Sequence, residues 1–260
     1  MALSFAMPIA ADFTIRVFAM RAAENADGWG LAWYPDHSLA LVKEALDWRG
    51  SQHSKFLESS AGLKSSIYLA HVRHRSTGGP PTYADTHPFE RELAGCHFGF
   101  AHNGTINDYQ ELPLGRFRPL GGTDSERLFC HLLALIEARG AELKTVDVWT
   151  WMHETLQRLN ERGTINCLLS DGRRLFCYHD LTAWKGLTYR QLRFAGGEER
   201  RFQNASVQLQ VDSDVYNSGY VVATSPLSRC GWHSFVPGQM IVLEHGCLVH
   251  SSEATAECAL

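Results

Sequence analysis

Residues 99–106 read GFAHNGTI, and the treatment of Asn103 and Gly104 decides how the segments around them are understood. The apolar run of Phe98, Phe100 and Ala101 has the pattern of a buried strand. It gives way to His102, Asn103 and Gly104, where a strand gains nothing from an amide followed by a residue with no side chain. Asn-Gly is a strong signal of a tight hairpin turn, because both residues tolerate positive φ. The other reading is an anion site, in which the Asn103 side-chain amide and the Gly104 backbone N–H point together at a developing oxyanion. The dipeptide alone leaves both open.

On either side of this stretch most of the chain reads as strand, with two helices. GWGLAWYP (28–35) and HSLALVKEA (37–45) predict two strands around a turn at Pro35 and Asp36, and SSIYLAHVR (65–73) is another apolar run that ends in polar residues. TDSERLFCHLLALIEARG (123–140) opens on the capping-type residues Thr123, Asp124 and Ser125. It carries apolar residues at 128, 129, 132, 133 and 136 and stops at Gly140, which predicts an amphipathic helix. A second helix is predicted within TVDVWTWMHETLQRLNERG (145–163), ended by Gly163. TINCLLSDGRRLFCYH (164–179) reads as a hairpin around Asp171 and Gly172. GYVVATSPL (219–227) and GQMIVLEHG (238–246) read as strands separated by a loop with Trp232 and Pro237. From 184 to 214 alternation is visible only in SVQLQV (206–211), so this stretch is expected to be loop with one strand. Strands, then helices, then strands predict an α+β fold.

At 260 residues, 45% hydrophobic and 20% charged, with no linker-like tract or repeat, a single domain over 1–260 is expected. The net charge of −4 gives no electrostatic reason to bind nucleic acid or an anionic membrane. Two local basic spots stand out, RHR (73–75) and ERR (199–201), the second expected in a solvated loop. No apolar run approaches a membrane span, and MALSFAMPIAADF lacks the charged n-region and long apolar core of a signal peptide, so a cytoplasmic protein is expected. Seven cysteines spread singly, without a CxxC pair, suit reduced thiols and do not space like zinc ligands. The thirteen histidines include no HExxH pair, and no metal site is expected.

DGWG (27–30), AHVRHRSTGG (70–79), THPF (86–89), AHNG (101–104) and GGTDSE (121–126) form an ordered series far more specific than any one of them. In this order and spacing the series resembles the class II glutamine amidotransferase domain, an N-terminal-nucleophile hydrolase. The stand-alone bacterial members, which also carry an LLSDG hairpin and an ATxPL strand, are the nearest match. The resemblance covers nearly the whole chain and implies a four-layer αββα sandwich. It implies a glutaminase-type amidohydrolase whose small-molecule substrate is glutamine or a γ-glutamyl amide, with no cofactor. It also implies the roles of the site residues. Arg73 would bind the substrate α-carboxylate through its fork of donors, with Ser76 and Thr77 as hydroxyl donors to the same group. Asp124 would receive the α-ammonium, and Asn103 and Gly104 would form the oxyanion hole. Asp27 and His87 are expected to support the pocket floor.

The series departs from the family at its first residue. Family members begin Met-Cys, and loss of the methionine leaves a cysteine whose thiolate attacks while its own α-amino group handles the proton. Here the chain opens MALSFAMP, and alignment with Met-Cys-x-Leu places Met1 about four residues in. An internal cysteine has an acylated nitrogen and cannot substitute. Two expectations follow: a shortened form of an active enzyme, or a catalytically dead glutamine- or γ-glutamyl-binding regulatory pseudoenzyme. No synthase sequence is apparent within the chain, so ammonia would pass to a partner protein, or the reaction would be plain hydrolysis of a γ-glutamyl amide.

Overall fold

Period-two alternation along the strands sorts the apolar side chains into separate layers, and the layers define the architecture. The computed structural model describes residues 1–14, 28–46, 51–59, 63–72, 82–203 and 208–253. The first sheet is built from β1 (Ala2–Thr14), β2 (Trp29–Trp33), β3 (Ala40–Glu44), β4 (Lys64–Val72), β9 (Thr188–Ala195), β12 (Tyr216–Ala223) and β13 (His233–Ser234). Its order is β13-β9-β12-β1-β4-β2-β3, with a hairpin of β10 (Glu198–Gln203) and β11 (Gln208–Ser213) joined to the far half of β1. The second sheet comprises β5 (Phe89–Leu93), β6 (Cys96–Ile106), β7 (Gly163–Ser170), β8 (Arg174–Tyr178), β14 (Met240–Glu244) and β15 (Cys247–Ser251), in the order β15-β14-β8-β7-β6-β5. Neighbouring strands are antiparallel throughout both sheets.

Between the sheets lie Ala2, Ala32, Leu69 and Val222 from one and Ala101, Leu168, Cys177 and Ile241 from the other. On the outer face of the second sheet, Phe98, Phe100, Cys167, Phe176 and Val242 meet two helices, α2 (Asp124–Ala138) and α3 (Val146–Asn160), through Leu128, Phe129, Leu132, Met152 and Leu156. The rings of Phe100 and Phe129 stack 5.1 Å apart across this contact. Each such buried side chain contributes roughly 1.5–3 kcal/mol. On the outer face of the first sheet Leu3, Phe5, Leu31, Tyr68, Phe194 and Val221 form a further cluster, against which Leu57 of α1 (Gln52–Ser59) packs. The fold is the αββα sandwich that the resemblance implied.

Three local expectations are corrected. Gly163 does not end α3, whose C-cap is Glu161; it opens β7, where a β-carbon would stand 2.0 Å from the Thr105 carbonyl oxygen. The stretch from 184 to 214 holds three strands, β9, β10 and β11, because Leu192, Phe194, Phe202, Leu209 and Val211 all feed the outer cluster. Arg200 and Arg201 accordingly lie on a strand rather than in a loop. No helix among the described residues is long and apolar enough to cross a membrane.

Two of the sequence motifs prove to be halves of one packing contact. Gly30 of β2 faces the inter-sheet space, and a β-carbon there would meet the His87 carbonyl oxygen at 2.2 Å and Pro88 Cδ at 2.8 Å. The His87–Pro88 peptide is cis, and Lys43 Nζ donates to the carbonyls of Thr86 (2.7 Å) and Pro88 (3.4 Å) on either side of it. Backbone pressed against backbone leaves no flexible neighbour to give way. Gly30→Ala is therefore expected to lower stability by about 2–3 kcal/mol, the cost of overpacking, read as a lower urea midpoint with an unchanged slope.

Candidate active site

The strand β6 does not turn at Asn103 and Gly104. It runs straight through both to Ile106, paired with β7 so that Asn103 lies opposite Asn166 and Gly104 opposite Ile165. Neither residue has a positive φ, which removes the hairpin reading. Gly104 is a glycine for a different reason: a β-carbon would lie 1.9 Å from the Thr164 carbonyl oxygen and 2.6 Å from His102 Nε2. Phe98, Phe100 and Ile106 face the helices and Ala101 faces the other sheet, so Asn103 also looks into the inter-sheet space. Its half-buried side chain has no hydrogen-bond partner among the described residues.

The N–H of Gly104 is placed by the same alternation. Thr105 donates to Thr164 Oγ1 (3.1 Å) and Asn107 to the Arg162 carbonyl (2.9 Å), both toward β7, whereas Ile106 donates away from β7. Successive N–H groups alternate edges, so that of Gly104 shares the outer edge with that of Ile106. The ladder with β5 covers only residues 96–100 of β6, and no acceptor among the described residues meets the Gly104 N–H. Two donors, one from a side chain and one from the backbone, thus stand open side by side.

Asp124 closes the same end of this strand. Its Oδ2 accepts the Ile106 N–H at 2.8 Å. The cap of α2 is Thr123, whose hydroxyl accepts the Glu126 N–H at 3.2 Å, so Asp124 is the first helical residue and not the cap. Around it the buried Glu126 carboxylate accepts the N–H groups of Leu120 (3.0 Å) and Gly121 (2.7 Å) and pairs with Arg91 at 2.5 Å. Asp85 accepts the Gly122 N–H at 2.8 Å. The GGTDSE turn is clamped by carboxylates on both sides.

Behind Gly104, on the helix face, His102 ties these pieces together. Its Nε2 lies 3.1 Å from the Thr164 carbonyl, which only accepts, so Nε2 carries the proton and Nδ1 accepts from the Ser125 hydroxyl at 2.9 Å. Burial holds this imidazole below the ordinary histidine value, against the pull of Asp124. His87 is buried where the sheets meet, stacked on His71 of β4 at 4.3 Å and tilted against Phe89 at 4.5 Å. Arg73, Ser76, Thr77 and Asp27 lie outside the described residues. The structure therefore brings Asn103, Gly104 and Asp124 together on one strand end, and places His87 at the junction of β4 and β5.

Among the described residues the buried thiols are held in their protonated form. Burial pushes Cys167 up to about 12 and Cys177 well above its usual range. The amino group of Met1 lies near enough to Cys177 to pull the other way, which puts the start of β1 in the inter-sheet space. Three residues of this region went unnoticed in the sequence: His102, Asn166 and His179. Only His102 had a signal, its place beside Asn103.

The family model for class II glutamine amidotransferases matches residues 1–259. The chain is 32% identical over 250 residues to an uncharacterized protein of Methanocaldococcus jannaschii, covering 96% of this chain and 70% of that one. It is 31% identical over 216 residues to an Escherichia coli K12 protein, YafJ, named provisionally as a glutamine amidotransferase, covering 82% and 83%. A crystal structure of a predicted glutamine amidotransferase from Pseudomonas aeruginosa PA01 superposes with a TM-score of 0.75 at 26% identity, covering 96% and 98%. The glutamine phosphoribosylpyrophosphate amidotransferase of Bacillus subtilis shares the fold, with a TM-score of 0.57 at 14% identity, over 99% of this chain and 50% of that one.

The neutral His102 has a consequence for acid stability. Its folded-state value lies below the unfolded 6.5, so as pH falls the unfolded chain takes the proton first. Its contribution is full above that value and is lost as pH falls below it toward the depressed folded value. His102→Gln should flatten the fall in unfolding free energy as pH drops below 6.5, measured by urea titration at each pH. An unchanged slope would show that His102 is not the group that resists protonation.

Proposed function

The chain belongs to the class II glutamine amidotransferases, and from that premise we propose that it hydrolyses the γ-amide of glutamine or a γ-glutamyl compound through a γ-glutamyl thioester. The observation that carries this reading is the pair of open donors on β6, the Asn103 side chain and the Gly104 N–H, on a strand end fixed by Asp124 and His102. A strand held from both sides offers its donors without reorganisation when negative charge develops, which is where such donors are worth most. Arg73 takes the substrate α-carboxylate, with Ser76 and Thr77 beside it. Asp124, with one oxygen already committed to Ile106, keeps lone pairs for the α-ammonium. Asp27 and His87 support the floor of the pocket.

The nucleophile of this route would be the cysteine thiolate that the family's Met-Cys opening implies, at the head of β1. Met1 and Ala70 exchange both backbone hydrogen bonds, at 2.9 Å each, and Ala2 faces the inter-sheet layer. A residue three places ahead of Met1 shares the face of Ala2 and lies beyond the ladder positions opposite His71 and Val72. There its sulfur would attack the amide carbon, the carbonyl oxygen would become the oxyanion at Asn103 and Gly104, and its α-amino group would protonate the departing ammonia. Water then adds to the thioester by the reverse proton path and glutamate leaves. The route needs no cofactor, and the ammonia passes to a partner protein or is simply released.

Three outcomes test this reading. The chain as given should release no ammonia from glutamine, whereas the chain preceded by Met-Cys-x-Leu should; glutamine binding without turnover in the extended protein would mark a regulatory binding module instead. In the extended protein Asn103→Ala should lower kcat by about a hundredfold with little change in KM, the usual effect of a lost oxyanion donor. Arg73→Ala should weaken glutamate binding by roughly tenfold or more in calorimetry, as a charge-assisted pair is worth about 1.5–3 kcal/mol.

A further inference from the structure

On the inter-sheet face of the second sheet, one apolar row runs across Ala101, Leu168, Cys177 and Ile241. Two residues further along the same strands the row turns polar. Asn103 lies opposite Asn166, and the ladder of β7 and β8 ends at Cys167 and Tyr178, so that His179, the residue after β8, meets Asn166 through its side chain. Neighbours in such a row stand about 5 Å apart.

Beyond Asn103, hydrogen bonding leaves this row one open acceptor among the described residues. The Asn166 side-chain oxygen accepts from His179 Nδ1 (2.7 Å) and from the Asp180 N–H (3.2 Å), and its nitrogen donates to the Trp184 carbonyl (2.6 Å). The Asn166 oxygen is thereby filled, while its amide nitrogen keeps one N–H. Because that oxygen only accepts, His179 carries its proton on Nδ1, and Nε2 presents a lone pair. His179 is 2% exposed, and among the described residues nothing hydrogen-bonds to its Nε2. Burial holds the ring below the ordinary histidine value, with the Asp180 carboxylate pulling the other way. Asp180 itself is pinned by Ile165 and Asn160 at 2.8 Å each, so the loop that carries Trp184 cannot drift from the row.

The direction of the row assigns it a role. Asp124 is tethered on the edge of β6 away from β7, whereas Asn166 and His179 continue from Asn103 toward β8. A glutamyl group whose α-ammonium meets Asp124 and whose carbonyl oxygen meets Asn103 therefore directs its amine substituent along Asn166 to His179. Resting on the proposed amidohydrolase reading, we propose that Asn166 and His179 form a subsite for the amine side of the scissile amide, in which His179 Nε2 accepts a hydrogen bond from a substituted amine. The favoured substrate class is thus a γ-glutamyl amide whose amine part carries an N–H or O–H donor, rather than glutamine itself. His179 is a specificity residue, and Asn166 positions it.

The test is calorimetric binding of two matched ligands, γ-glutamylethanolamide and γ-glutamylethylamide, which differ by one hydroxyl donor, with glutamine as reference. The wild-type chain should bind the ethanolamide roughly fivefold more tightly than the ethylamide, the worth of one neutral hydrogen bond. His179→Phe, which keeps a ring against Phe235, should bring that ratio to about one. His179→Leu, which likewise offers no acceptor, serves as the second variant, and circular dichroism confirms that each is folded. Equal binding of the two ligands by the wild type, or a ratio that survives in a folded variant, overturns the subsite while leaving glutamine recognition standing. Failure of all three ligands to bind overturns the amidohydrolase reading and the subsite with it.

Discussion

The register of β6 against β7 is the constraint from which the rest follows. Because side chains alternate, a slip of one residue would turn Asn103 toward the helices and bring His102 between the sheets. Two close backbone approaches forbid the slip: Gly104 against the Thr164 carbonyl and Gly163 against the Thr105 carbonyl, each with room for a hydrogen and none for a methyl. Apolar matching reinforces them, since Phe98 and Phe100 are needed under α2 and only a residue as small as Ala101 meets the opposing sheet. The hydrogen bond from Ile106 to Asp124 then carries the same register into the first turn of α2.

Several glycines of the two sheets mark close contacts and not turns. The Asn-Gly pair would be a hairpin on local chemistry alone, yet its neighbours override the local preference: eight consecutive residues of β6 pair with β7, and a turn would forfeit that ladder. The DGWG and THPF motifs show the same logic between sheets. Gly30 gives the His87–Pro88 backbone its place, Lys43 fills the carbonyls beside it, and the His87 ring lands on His71. Motifs that read in the sequence as separate supports of the pocket floor meet here in one buried joint between the sheets.

What was legible in the sequence had a local cause. α2 and α3 announce themselves through a 3.6-residue apolar period and a threonine at the start, and the β7–β8 hairpin through Asp171 and Gly172, the latter at φ +84°. The strand β1 was not seen because Ala2, Ala6, Pro8 and Ala10 stand between Leu3, Phe5 and Ile9, so no alternation of apolar with polar residues marks it. β9 and β10 were hidden by arginines interleaved with Leu192, Phe194 and Phe202 on either side of Gly196 and Gly197. Asn103, Gly104 and Asp124 could be named because the ordered motif series carries them. Asn166 and His179 could not, since their tie to Asn103 is a cross-strand neighbourhood, and nothing in the one-dimensional pattern tells which residues a ladder will set in a row.

The location of the site then has a physical reason. Between two sheets the interior is apolar for as long as both faces supply small or aliphatic side chains, and polar groups are tolerated only where partners or ligand satisfy them. The rows of Ala101, Leu168 and Cys177 fill that interior; one step on, Asn166 and His179 satisfy each other, and Asn103 and one histidine nitrogen are left over. Leaving such groups open costs stability, and burial keeps the cost bearable by holding both His102 and His179 neutral rather than charged. In the proposed reading the charge of Asp124 faces the substrate ammonium, while the groups around the reacting carbonyl are neutral donors and one neutral acceptor. A zwitterionic amino-acid end and an uncharged amide need such a division, with charge on one side of the site and hydrogen bonds on the other.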